Sequence, residues 1–115
     1  MTRERAGALI VLLDVMFSEH LARMAELAAS HRLPAVYGLH EFAEAGGLMA
    51  FGSSFVDRYR RAATFVDKIL KGAKPADLPI EQPTKFELAI NLRAAKTLGL
   101  TIPKSVLLRA DEIIQ

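Results

Sequence analysis

The stretch Glu44–Ser54, EAGGLMAFGSS, decides how the rest of the chain is read. A glycine pair leads into an apolar run, then Gly52 and two serines precede a long amphipathic segment. Two structures use such a pattern. Glycines let backbone amides crowd around a phosphate, with a helix start adding a favourable dipole. Glycines equally free the backbone where a strand passes between two packed bodies. A phosphate loop of the form G-x-x-x-x-G-K-[ST] running from Gly47 to Gly52 needs a lysine where the chain has Ser53. Glycines at 46, 47 and 52 do not make G-x-G-x-x-G either. The stretch therefore reads as a turn or hinge, a short strand over Leu48–Phe51, and Ser54 capping a helix with Asp57 three residues on.

Working outward, Ala8–Leu13 (ALIVLL) is a continuous apolar run between Gly7 and Asp14, the pattern of a strand buried on both faces of a parallel sheet. Ser18 is placed to cap a helix in which Leu21, Met24, Leu27 and Ala28 recur at helical spacing. Leu33-Pro34 stops it. Ala35–Tyr37 reads as a second strand, and His40–Ala45 as a short helix ended by Gly46. Beyond Ser54 the longest helix carries Phe55, Tyr59, Ala62, Phe65, Val66, Ile69 and Leu70 along one stripe, and Gly72 ends it. Its cations Arg58, Arg60, Arg61, Lys68 and Lys71 read as a solvated face. The segment Ala73–Thr84 (AKPADLPIEQPT) has three prolines and no helical period, so it is an extended connection. Phe86–Ile90 resumes a strand, Asn91 caps a helix over Leu92–Leu98 that Gly99 closes, and a last helix is predicted from Pro103 to Ile114. Alternating units of this kind predict an α/β fold: a parallel sheet with helices on both faces, flavodoxin-like in outline.

Composition narrows the function. The chain has 115 residues, 51% hydrophobic and 24% charged, the balance of one small packed domain. Fifteen cations against 13 anions leave too small an excess to argue for nucleic acid. The absence of cysteine removes disulfides and thiolate metal sites. No apolar run approaches the roughly 20 residues of a membrane span. The N-terminus contains Glu4 and no small-residue cleavage site after its apolar run, so no signal peptide is read, which on this chain alone predicts a cytoplasmic location.

Chemistry-bearing residues are few. His20, His31 and His40 have no paired spacing, so no metal site is predicted. Ser53 and Ser54 lack a G-x-S-x-G elbow, and no catalytic residue or cofactor is assigned. Asp14 follows the first strand at the carboxyl edge, where open α/β sheets bind ligands; it serves equally as a turn or cap residue. Tyr37 and Gly38 hold the equivalent place after the second strand, Phe51 and Gly52 after the third. An acid, two aromatics and two glycines suit a small polar or zwitterionic ligand held by stacking and hydrogen bonds.

The runs LAASHRLPAVYGLHEFAEAGGLMAFG (27–52), KILKGAKPADLPIEQPTKFELAINLRAAKTLGL (68–100) and LLRADEII (107–114) resemble the carboxy-terminal portion of ABC transporter substrate-binding proteins of the tryptophan/tyrosine-binding group. The resemblance implies a periplasmic-binding-protein type I fold: two α/β lobes close on a solute in the cleft between them and deliver it to an ABC permease. It implies that residues 1–46 and 84–115 belong to the second lobe, and that 47–83 form a crossover and a long helix packing with a first lobe not encoded here. Asp14, Tyr37, Gly38, Phe51 and Gly52 would line the cleft around a small organic, amino-acid-like solute. The family works in the periplasm or anchored outside the membrane. Ser53 stands where relatives often have proline, and His40 where arginine is common. Without a first lobe the stripe Phe55, Tyr59, Phe65, Val66 and Ile69 needs cover, which predicts either docking onto this chain's own sheet or homo-oligomerisation. A flavodoxin-like or receiver-like interaction module is the alternative, although only Asp14 of a receiver's acid cluster is present.

Overall fold

The computed structural model describes residues 5–115. Glu4, on which the reading of the N-terminus partly rests, lies outside the described residues. Five strands form one sheet in the order β1-β2-β3-β4-β5: β1 Leu9–Val11, β2 Ala35–Tyr37, β3 Met49–Ser53, β4 Phe86–Asn91 and β5 Glu112–Ile114. Six α-helices join them: α1 Val15–Ser18, α2 Leu21–Ser30, α3 Glu41–Glu44, α4 Phe55–Leu70, α5 Leu92–Leu98 and α6 Lys104–Leu107.

Local chemistry sets most boundaries. Ser54 Oγ accepts the Asp57 amide at 3.4 Å and starts α4. Asn91 Oδ1 accepts the Ala94 amide at 3.0 Å and starts α5, which Gly99 closes in the left-handed region at φ 72°. Ser18 does not cap α2. It ends α1, donating its hydroxyl to the Val15 carbonyl at 2.7 Å, and His20 takes the cap position without a side-chain bond.

The α/β class stands, with two differences in the sheet. β1, β2 and β3 are parallel and β4 is parallel to β5, but β3 and β4 run antiparallel from Met49↔Ile90 to Ser53↔Phe86. The sheet is mixed because the chain leaves β3 through α4 and the proline-rich segment and returns along the same ladder. The second difference is β5, where a helix to Ile114 was predicted. Asp111 donates its amide to the Leu88 carbonyl at 2.8 Å and accepts the Leu88 amide on its carboxylate at 2.7 Å. That two-point grip on β4 pulls Glu112–Ile114 into the ladder against a helical period.

Period-2 alternation divides the sheet. Val11, Ala35, Tyr37, Ala50 and Ala89 point to one face and join Ala28, Phe42 and Ala43 in the core, with Leu21 and Met24 packed against them. Asn91, 3% exposed, ties β4 to α3 by donating Nδ2 to the Ala43 carbonyl at 3.0 Å. The opposite face is open over much of its extent rather than covered by helices: Ile10, Phe51, Phe86 and Ile113 are exposed, Val36 and Met49 half-buried, and Ile90 at its centre is buried. β1 is accordingly shorter than the predicted Ala8–Leu13 and buried on one face only, with Leu12 and Leu13 exposed beyond it.

Helix α4 has no buried residue, and Phe55, Tyr59, Val66, Ile69 and Leu70 are exposed, Phe65 alone of the stripe being half-buried. The long helix therefore stands away from the core. The radius of gyration is 17.4 Å, against about 13 Å for a globular chain of this length.

Candidate functional site

Parallel β1, β2 and β3 bring their carboxyl ends to one edge, and the backbone there is drawn close. The Gly38 amide donates to the Val11 carbonyl at 3.1 Å, stitching β2 to β1. A methyl group on Gly52 would overlap the Gly38 carbonyl oxygen and lie 3.0 Å from its carbon, so β3 meets the turn after β2 as backbone against backbone. Only glycine permits that approach.

Of the five residues predicted to face a ligand, Asp14, Gly38 and Gly52 share this edge. Asp14 is exposed and caps α1, accepting the Met16 amide at 2.8 Å. The other two lie elsewhere. Tyr37 is 1% exposed, stacked on Phe42 with ring centroids 4.4 Å apart, and its phenol is pushed above the ordinary 10.0 by burial. As the last residue of β2 it alternates into the core face, so its ring is packing, not cleft wall. Phe51 alternates to the open face, where it stacks on Phe86 at 5.7 Å.

Beside Gly52 lies a hollow of about 120 Å³ lined by residues that include His40, Glu41, Ser54, Phe55 and Glu87. Two buried atoms at this site, His40 Nδ1 and Glu41 Oε2, have no hydrogen-bond partner among the described residues. Glu41 is not distinguished in the sequence, because an acid in the first turn of a short helix is ordinary there, and His40 stands out there only as a replacement for the arginine common in the family that the chain resembles. His40 Nε2 lies 2.7 Å from Glu112 and 3.7 Å from Glu44. Ligand atoms of this trio all lie within 4.8 Å of one another, a grouping able to hold a cation and equally an imidazolium between two carboxylates. Sequence spacing missed it because Glu112 arrives on the unpredicted β5.

Two further concavities are present among the described residues. A hollow of about 320 Å³ between α2 and α5, toward the amino ends of β2 and β3, has six alanines in its lining, and its buried Asn91 already serves Ala43 and Ala94. A larger groove, about 820 Å³, runs between α4 and Glu81–Lys85 and shares Ser53 and Ser54 with the small hollow. Ion pairs Arg61–Glu81 and Lys85–Asp57 span it, and Arg60 pairs with Asp57 along α4. Among the described residues no helix is long and apolar enough to cross a membrane.

The geometry has counterparts. A family model described as ABC transporter substrate binding protein matches residues 1–114. A conserved domain protein from Vibrio cholerae superimposes with a TM-score of 0.89 at 27% identity, over 96% of this chain and 37% of that one. The ABC domain in complex with L-Trp from Streptococcus pneumonia does so at 0.87 and 28% identity, over 98% of this chain and 39% of that one. A ligand-free, open substrate-binding protein with adhesive properties from Clostridium difficile shares the fold at 0.62 and 18% identity, over 94% and 36%. The chain thus spans less than two fifths of the length of these structures. No curated protein matches it.

Proposed function

We propose, for a chain that belongs to the ABC transporter substrate-binding protein family, the role of solute-binding component in uptake, holding a small amino-acid-like molecule without transforming it. The observation that carries this reading is the glycine-drawn edge of β1–β3. It sets an exposed carboxylate at Asp14, close backbone at Gly38 and Gly52, and a hollow whose lining includes Glu41 and Ser54. Such an edge offers hydrogen bonds and shape, not a nucleophile beside a base. L-Trp in the related Streptococcus structure supports an amino-acid-like solute.

Residues 1–46 and 84–115 form the second-lobe part, and 47–83 cross to a companion lobe supplying the other wall. The open sheet face, the bare stripe of α4 and the greater length of the matched structures support that division. The full-length protein would act outside the cytoplasmic membrane and hand its solute to an ABC permease. Where this chain stands alone, the stripe Phe55, Tyr59, Phe65, Val66 and Ile69 pairs with a second copy.

A thermal-shift panel of the proteinogenic amino acids tests the reading. A solute present at a hundred times its Kd adds about 2.7 kcal/mol, a rise of about 10 °C for a domain of this size. Unchanged melting across the panel contradicts it.

A further inference from the structure

We infer that Arg58 is a carboxylate clamp in the groove between α4 and Glu81–Lys85. Among the described residues the other cations of this groove have acidic neighbours: Arg60 faces Asp57 at 3.6 Å, Arg61 pairs with Glu81, and Lys85 lies 3.8 Å from both Asp57 and Glu87. Arg58 has none. Its Nε and Nη2 are both buried and neither has a hydrogen-bond partner. Those two nitrogens form one edge of the guanidinium, with parallel N–H bonds that fit the two oxygens of a carboxylate. Donors buried without a protein acceptor are costly unless something else meets them, and the carboxylate of a bound molecule would do so.

The edge is held in place. The guanidinium carbon lies 5.0 Å from the centre of the Phe55 ring, and that ring leans on Tyr59 at 4.8 Å. Stacking favours one plane for the fork. The groove is about 820 Å³, within the range of small-molecule sites. It carries the Ser53 and Ser54 hydroxyls and the half-buried Phe65, and reaches the strand-tip hollow through those serines. A solute with its body toward Gly52 would present its acid group to Arg58. The assignment of the carboxylate to the transported solute rests on the proposed function; the clamp itself rests on the arginine.

Isothermal titration of the chain with L-tryptophan, indole-3-acetate, tryptamine, acetate and inorganic phosphate tests it, using wild type, R58Q, R58K and K71Q. The clamp predicts that the two indole acids bind and that tryptamine, lacking the carboxylate, binds at least about tenfold more weakly. R58Q and R58K should both lose about tenfold or more toward the acids, the lysine because it lacks the fork. K71Q, whose lysine pairs with Asp67 outside the groove, should bind as wild type. R58Q should lose at most about 4 °C in Tm, because the guanidinium gives up its stacking on Phe55 and no hydrogen bond among the described residues. Acids binding wild type and R58Q alike overturn the clamp and leave the solute-binding reading standing. Acetate binding through Arg58 as tightly as any amino acid keeps the clamp and overturns that reading. Phosphate binding tighter than every carboxylate overturns the carboxylate assignment, and no anion binding to wild type overturns the clamp outright.

Discussion

Substituting the glycines of the strand tips grades the account of the site by a single methyl group. At Gly52 the new Cβ would overlap the Gly38 carbonyl oxygen and sit 3.0 Å from its carbon. Both are backbone atoms, so no side chain can rotate away, and the tips of β2 and β3 must part near the Tyr37↔Ala50 pair. Overpacking costs about 1–3 kcal/mol where side chains absorb part of the strain; with none to absorb it, G52A belongs at about 3 kcal/mol. At about 4 °C per kcal/mol for a domain of this size, its Tm falls by about 12 °C. Gly38 is less crowded: its Cβ would lie 3.2 Å from the Leu13 amide nitrogen and 3.5 Å from the Leu13 Cβ, in an exposed segment with room to move. G38A should lose about 1 kcal/mol, or about 4 °C. Among the described residues nothing lies within 4 Å of a Cβ on Gly7, and G7A should melt within about 2 °C of wild type. Circular-dichroism melts of the three variants decide the matter. G52A melting with wild type, or below neither G38A nor G7A, refutes the packed-tip geometry on which the site depends.

Three other substitutions probe different parts of the fold. N91A removes both the α5 cap and the buried bond to Ala43, and should lower stability by about 2–4 kcal/mol in urea titration; a loss under 1 kcal/mol would mean the buried amide is replaceable. Burial holds the Tyr37 phenol above its ordinary 10.0, so the unfolded chain releases that proton first as pH rises. Its contribution is whole below about pH 10 and erodes above it. Y37F should flatten the fall in stability above pH 10, and an unchanged alkaline slope would contradict the assignment. In light scattering the chain alone should exceed its 12.6 kDa monomer mass, and Y59E/V66E should restore a monomer with an unchanged far-ultraviolet circular-dichroism spectrum, because both side chains are exposed on the single chain. A monomeric wild type removes the self-association reading.

Elements whose signals are local were legible in the sequence. Ser54, Asn91 and Gly99 act through bonds within four residues, and the bounds of α4 and α5 follow from them. Ala35–Tyr37 emerges as the predicted strand because Pro34 and Gly38 bracket it. What escaped depends on distant partners. Val106, Leu107, Ala110 and Ile113 carry a helical period, yet Asp111 is captured by Leu88, and β5 follows. The antiparallel turn of β4 is set by the path through α4, which periodicity does not encode. At the site the edge position of Asp14, Gly38 and Gly52 followed from strand order, whereas the sides taken by Tyr37 and Phe51 depend on register, and a one-residue step exchanges core for open face. Glu41 Oε2, His40 Nδ1 and the Nε–Nη2 edge of Arg58 were not legible as site atoms, because only folding buries them without a hydrogen-bond partner among the described residues.

The central claim is where the solute sits. Amide chemical-shift mapping of the chain with L-tryptophan, or with whichever amino acid gives the largest thermal shift, tests it directly. The account predicts saturable changes confined to residues 12–14, 38–41, 52–58 and 81–87. Changes centred on the alanine-lined hollow between α2 and α5, or none at saturating solute, would contradict it.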